Sequence, residues 1–296
     1  MRFERVGSII DLDIDKKICR KIYRGPFAEE RAFDERTALE VCRRVGLLAP
    51  KALRSAHGSA PWLEMTLENG SDWEGHVAES PREYVNSAGS YIKRLHELFR
   101  PDSPGFGWLP SRQDIFAGSA DFLLFLVRDQ MLSLPEHINS GLVHLISEAC
   151  RDAPLVPLHR DVKPEHVLRA EATSIRPENT PMGSSSNNST CMIDWEYSSR
   201  GPAFYDWAML TWRAWRDICS TIQCPGIENA SADTLVSAVL EVSDLPQEQL
   251  AVGVARAALV WAQHRGSAEF VVATRCCTAA LDGASLAAIL EISKLS

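Results

Sequence analysis

The chain has 296 residues, 45% apolar and 24% charged, a balance that builds globular cores and excludes wholesale disorder, collagen and a coiled coil. The formal net charge of -8 argues against a dedicated nucleic-acid binder, because neutralising phosphates takes clustered Lys and Arg. The N-terminal MRFERVGSIIDLDID is charged throughout and reads as no signal peptide. Phe122–Val127 is too short to cross a bilayer and Arg256 interrupts Val252–Ala262, so no membrane span is expected. The 8 cysteines form no C-x-x-C pair and are expected to be reduced thiols of a cytoplasmic protein, with Cys276 and Cys277 packed in a helix.

Along the chain, Ser8–Ile14 and Lys17–Tyr23 are Ile-rich, partly alternating and joined by an Asp-Lys turn, which predicts a β-hairpin. Glu29–Val45 carries Phe33, Ala38, Leu39, Val41 and Cys42 at helical spacing, and Gly46 closes it. Lys51–Arg54 and Trp62–Leu67 read as two more short strands. From about Asn69 the period becomes helical, over Pro81–Phe99, Ala120–Leu134 and Asn139–Ala153, with the Pro/Gly loop PDSPGFGWLPS after the first. The apolar stretches Leu155–Leu158 and Met192–Ile193 flank a long loop whose part Arg176–Thr190 is of low complexity. From Tyr205 the chain is helical again. The order is a small β-rich lobe, a linker near Met65–Gly70 and a larger helical lobe, an α+β arrangement.

Three segments carry chemistry: Leu158-His159-Arg160-Asp161-Val162-Lys163-Pro164-Glu165-His166, then Met192-Ile193-Asp194-Trp195-Glu196, then Gly201-Pro202-Ala203-Phe204-Tyr205-Asp206-Trp207-Ala208. An apolar strand ends in a polar loop, a second delivers an Asp at its end, and a third Asp begins a helix. Phosphoryl transfer from a nucleotide needs such parts, an acceptor for the nucleophile's proton and ligands for a divalent cation.

In spacing and order these segments resemble the aminoglycoside phosphotransferase/choline kinase family, whose signature is roughly H-G-D-x-x-x-x-N, I-D-W/F-E and G-D-P-x-x-D-L-A. The resemblance implies a two-lobed protein-kinase-like fold, with residues 1–68 as the nucleotide-binding lobe and 69–296 as the catalytic and substrate-binding lobe. It makes Asp161 the base that accepts the hydroxyl proton, Asp194 the principal Mg²⁺ ligand, His159 a support of the catalytic loop, and Asp206 the holder of that loop's N–H groups. Lys163 lies where protein kinases keep a lysine near the transferred phosphate, or else it is a solvated loop lysine. His166 stands where the family has a metal-binding Asn, and in this it resembles macrolide phosphotransferases. Imidazole at that place is either a ligand, one that favours Mn²⁺ relative to Mg²⁺, or a packed histidine.

In the small lobe Lys21 resembles the lysine that holds the α/β-phosphates, with Cys19 and Tyr23 on its face and Arg20 on the other. Glu35 resembles its helix partner, with Glu30 and Glu40 as alternatives. Pro61–Gly70 resembles the hinge, so a base of ATP or GTP is expected on backbone groups of Glu64, Met65 and Thr66. A glycine-rich phosphate loop is nearly missing, and only Val6-Gly7-Ser8 stands in for it. His96 reads as a packed helix histidine. Trp207, Trp212 and Trp215 read as core, with Trp212 or Trp215 as candidate edges of a substrate cleft. Glu196 and Asp217 read as solvated surface by default, or else as acids that attract a cationic substrate.

The reading is a kinase that phosphorylates a hydroxyl of a small molecule, an antibiotic by the resemblance. The alternatives are a metabolite kinase acting on a choline-, sugar- or amino-acid-like substrate, and an idle nucleotide-binding pseudokinase. A protein kinase ranks lower, since Asp194 lies in Asp-Trp-Glu and no Ala-Pro-Glu segment follows. Neither nucleic acid nor membrane is an expected partner, and the sequence does not set the oligomeric state.

Overall fold

A computed structural model describes residues 1–4, 7–98, 116–170, 190–221, 231–263 and 265–295. The loop PDSPGFGWLPS, Val6, Phe99 and most of the low-complexity stretch (176–189) lie outside the described residues. Five strands form the N-terminal antiparallel sheet: β1 Arg2–Glu4, β2 Ser8–Asp13, β3 Ile18–Tyr23, β4 Ala52–Ala56 and β5 Trp62–Thr66, in the order β1-β2-β3-β5-β4. The hairpin register sets Ile10 opposite Lys21, and Lys21 in turn opposite Leu63. Alternation then puts Cys19, Lys21, Tyr23 and Leu63 on one face and Arg20 and Glu64 on the other. Helix α1 (Ala28–Arg44) covers the first face with Ala38, Leu39 and Cys42, all fully buried. β1 was not legible in the sequence, because its three residues are exposed and mostly charged.

The remainder is mainly helical. A two-residue strand β6 (Gly70–Ser71) leads to α2 (Pro81–Leu98), followed by α3 (Ser119–Leu126), α4 (Arg128–Met131) and α5 (Glu136–Arg151). The single helix expected over Ala120–Leu134 is thus two, because the backbone leaves helical geometry at β-branched Val127 (φ -123°, ψ 11°). Then come β7 (Leu155–Leu158), a 3₁₀ turn at Pro164–His166, β8 (Val167–Ala170), β9 (Thr190–Met192) and β10 (Ser199–Pro202). β7 pairs with β10, and β8 joins β6 to β9. The small ribbons β8 and β10 are too short to show a strand period.

Five helices complete the chain: α6 (Phe204–Thr221), α7 (Ala232–Ser243), α8 (Gln247–Gln263), α9 (Ser267–Leu281) and α10 (Leu286–Ile292). α6 is central, with Trp207, Trp212 and Trp215 all buried. Its neighbours approach through glycines. A Cβ on Gly89 of α2 would sit 2.8 Å from the Trp207 ring, and one on Gly253 of α8 would sit 2.6 Å from the Ala208 Cβ. Asp217, expected at the surface, instead accepts the backbone N–H of Gly75 (2.8 Å) and of Val77 (3.3 Å), tying α6 to the segment before α2. No helix among the described residues is long and apolar enough to cross a membrane.

Candidate active site

The sheet and the helical region meet at a cleft of about 720 Å³. β7 delivers the loop His159–Lys163 to it, β9 delivers Asp194, and the start of α6 holds the first of these in place. The Asp206 carboxylate accepts the backbone N–H of His159 and of Arg160, each at 2.8 Å. Burial pushes the Asp206 pKa up to about 7, against these two hydrogen bonds. The grip matters because Arg160 is left-handed (φ 71°), as is Asp194 (φ 65°). Such backbone at non-glycine residues costs on the order of 1–3 kcal/mol and persists only where the surroundings enforce it.

His159 is fully buried, edge-on to Trp195 at 4.5 Å, and its Nε2 bonds the Ile193 carbonyl at 2.9 Å. The Asp161 N–H donates to its Nδ1 at 3.4 Å, so Nε2 carries the ring proton. Burial, then the nearby His166, push its pKa down to about 4 and keep it neutral. His159 therefore joins the two polar loops as a structural strut.

Lys21 is buried among carboxylates: Glu35 at 3.0 Å, Glu196 at 3.2 Å, and Asp194 in direct contact. Burial opposes its charge, but Asp194, Glu35 and Glu196 together raise its pKa well above the ordinary value. Glu35 also accepts the Tyr23 hydroxyl (2.6 Å) and the Trp195 N–H (3.1 Å), so one carboxylate links α1, β3 and the Asp194 loop. Glu40, an alternative in the sequence, pairs with Arg36 on the exposed side of α1. Two residues of this network escaped the sequence reading. Tyr23 stands two positions from Lys21 and so shares its face. Glu196, read as solvated, is buried.

Asp161 and Asp194 meet at His166. Asp161, His166 and Asp194 bring one ligand atom each within 4.8 Å of one another, as do Glu35, Asp194 and Glu196. The His166 Nδ1 faces the Asp161 carbonyl at 3.0 Å and must donate to it. Its Nε2 lies 3.1 Å from Asp194 Oδ2. That is close to the separation of about 3.0 Å between adjacent ligands of an octahedral cation at 2.1 Å, so the donor set fits a divalent ion. Burial opposes ionisation of Asp194, but Lys21 and His166 hold its carboxyl well below the usual range. Asp161 is likewise lowered, by His166 and by Lys163, whose Nζ is 3.1 Å from Asp161 Oδ2. Lys163 is thus turned into the site, also within 3.6 Å of Glu165.

Met65 and Thr66 line the cleft, as do Leu67 and Glu68. Glu64 is not among the lining residues. It lies mid-strand, opposite Arg20 and Arg54, and its carboxylate bonds both arginines on the outer face of the sheet. Gly7 and Ser8 also line the cleft. Trp212 lines it too, whereas Trp215 is spent inside the core, its Nε1 donating to the Leu290 carbonyl at 2.7 Å. His96 is a packed helix residue whose Nε2 meets no partner.

No curated protein sequence matches the chain at a significant level. Among solved structures, the choline kinase LicA from Streptococcus pneumoniae is similar over 94% of this chain and 90% of its own, with a TM-score of 0.57 at 14% identity. The aminoglycoside phosphotransferase APH(4)-Ia, in a ternary complex with ADP and hygromycin B, covers 95% and 92% with a TM-score of 0.59 at 12% identity. The GDP and kanamycin complex of APH(2")-IIia gives the same TM-score of 0.59 at 12% identity, over 95% of this chain and 92% of its own. At such identities the likeness establishes the fold, an α+β protein-kinase-like one. Residues 16–233 match the model of the Phosphotransferase enzyme family, well over half of the chain, and to that family this protein belongs.

Proposed function

We propose that the protein transfers the γ-phosphoryl group of ATP or GTP to a hydroxyl group of a small molecule. One observation carries the reading: Lys21, Asp161 and Asp194, contributed by three distant segments, converge on one cleft. In this reading residues 1–68 bind the nucleotide and 69–296 supply the catalytic loop and the acceptor site. Lys21 takes the α/β-phosphate oxygens in place of Asp194, and backbone groups of Met65–Glu68 take the base. Asp161, ionised and beside Lys163, orients the acceptor hydroxyl and receives its proton as the oxygen–phosphorus bond forms and the bond to the leaving nucleoside diphosphate breaks. Asp194 and His166 would hold Mg²⁺ or Mn²⁺, which neutralises phosphate charge when bound.

An antibiotic acceptor draws its support from the likeness to aminoglycoside enzymes, and a metabolite acceptor from the likeness to choline kinase. Nucleoside diphosphate release measured against a panel of antibiotics and metabolites separates the two. Nucleotide binding without turnover on any acceptor, or on water, would instead identify an idle nucleotide-binding member.

A further inference from the structure

The wall of the cleft formed by the catalytic loop, α6 and α8 is crowded with unmatched donors. Arg160, Trp212 and Trp261 line it, and Arg160 Nε, Trp212 Nε1 and Trp261 Nε1 are all buried without a partner. Directly behind Tyr205 and Met209 lies Arg256, 2% exposed, next to the cleft residue Ala257. Its guanidinium stacks 4.2 Å from the Tyr205 ring and, like that of Arg160, interacts with the Tyr205 hydroxyl, its Nη2 donates to the Met209 sulfur at 3.8 Å, and its Nη1 has no partner. Neither Arg160 nor Arg256 pairs with a carboxylate among the described residues. Of the acids near this wall, Glu165 is taken by Arg213 at 3.2 Å and Lys163 at 3.6 Å, Asp161 by Lys163 at 3.1 Å, and Asp206 by the backbone N–H groups of His159 and Arg160. Asp72 and Glu74 line the cleft from the segment before α2.

Buried donors left unmatched are costly, so a wall of this kind calls for a ligand rich in acceptors. It is also unsuited to a cation. The aromatic faces that would cage an ammonium already carry guanidinium groups: Arg213 and Arg265 each lie 4.4 Å from the Trp261 ring, and Arg216 lies 5.8 Å from that of Trp212. Burial favours the neutral Tyr205 hydroxyl, yet Arg256 and Arg160, both close to it, lower its pKa. Arg160 itself occupies a left-handed backbone position that favours glycine, one residue from Asp161.

We infer that this wall is the acceptor subsite and that it selects a hydroxylated molecule carrying an oxyanion, held by Arg160 with Arg256 behind it, while the hydroxyl lies at Asp161. The inference rests on the kinase reading for the hydroxyl's fate, but not for the selection of charge. A guanidinium matches a carboxylate or a phosphate ester by paired N–H donors.

The test is tryptophan fluorescence of the chain with AMP-PNP and Mg²⁺, titrated with glycerol, glycerate, glycerol 3-phosphate, sorbitol and gluconate, and with kanamycin and choline as cations. The anionic member of each matched set is expected to bind roughly 10–100-fold more tightly than its neutral counterpart, the range of a hydrogen bond to a charged group. Glycerate against glycerol 3-phosphate tells carboxylate from phosphate ester. Arg160→Gln should remove most of this preference, and Arg160→Lys should keep part of it; Arg256→Gln is the independent second variant. Absence of any preference for the anions, including absence of their binding, overturns the inference, as does tighter binding of kanamycin or choline. Nucleotide binding and slow hydrolysis are read on the same samples. Their loss with the anion preference intact would defeat the kinase reading alone.

Discussion

The two ends of the cleft handle charge in opposite ways. At the Lys21 end, the proposed nucleotide site, the charges are matched within the protein: Lys21 has Glu35, Asp194 and Glu196, and Lys163 has Asp161 and Glu165. At the α6–α8 end Arg160 and Arg256 stack on aromatic rings and leave donors unmatched. A matched buried network keeps its shape without a ligand, and a phosphate must displace one of its carboxylates to enter. An unmatched one has no internal competitor and gains most from an incoming anion. Under the proposed function, the difference suits the first end to preorganised chemistry and the second to selection.

The largest expected effect breaks the chemistry and spares the selection. Asp161→Asn should lower turnover on the order of 10²–10⁴-fold, the worth of a positioned base, with nucleotide affinity nearly unchanged. Wild-type turnover in that variant would remove Asp161 from the mechanism. Next, Lys21→Met leaves three carboxylates facing one another, which should cost about 3–5 kcal/mol in denaturant unfolding. Combining it with Glu35→Gln should recover part of that loss, and strict additivity of the two would show that the network is not one coupled unit.

A smaller effect serves as a reference away from both ends. Burial alone pushes the His96 pKa down to about 3, against an ordinary value of 6.5. The folded state therefore keeps His96 neutral, and this stability is complete above pH 6.5. Below that the unfolded chain takes up a proton that the folded one refuses. Between pH 7 and pH 5 the loss should be about 2 kcal/mol, and His96→Gln should flatten that part of the unfolding profile. An unchanged slope in the variant would mean that His96 is solvated. The smallest effect concerns the cation. His166→Asn exchanges a nitrogen donor for an oxygen, so the ratio of Mn²⁺- to Mg²⁺-supported turnover should fall by roughly a factor of a few. The same ratio in His166→Asn and His166→Ala would make His166 a packing residue.

How much of the site was legible depended on how local its signal was. Lys21 could be read from a two-residue period that puts it on one face and Arg20 on the other, and the sheet register bears this out. Asp161, Asp194 and Asp206 could be read because each sits at a fixed place where an apolar strand or a helix begins or ends. The Glu64 side chain, by the same alternation, turns away from the cleft toward Arg20 and Arg54. Glu196 and Asp217 looked like surface because an acidic residue gives no local sign of the cation or N–H that will cover it.

By itself, the sequence determined the broad order of the larger elements, the faces of β3 and α1, and the spacing of the three motifs that carry the proposed catalytic groups. These follow from periodicity and from residues within a few positions of one another. Only the tertiary structure decided which charges are matched. Lys21 and Asp194 are 173 residues apart, Glu35 and the Trp195 N–H 160, and Arg256 meets Met209 across 47. A charge's partner is set by which elements pack together and how deeply, and packing at that range leaves no period in the chain to read.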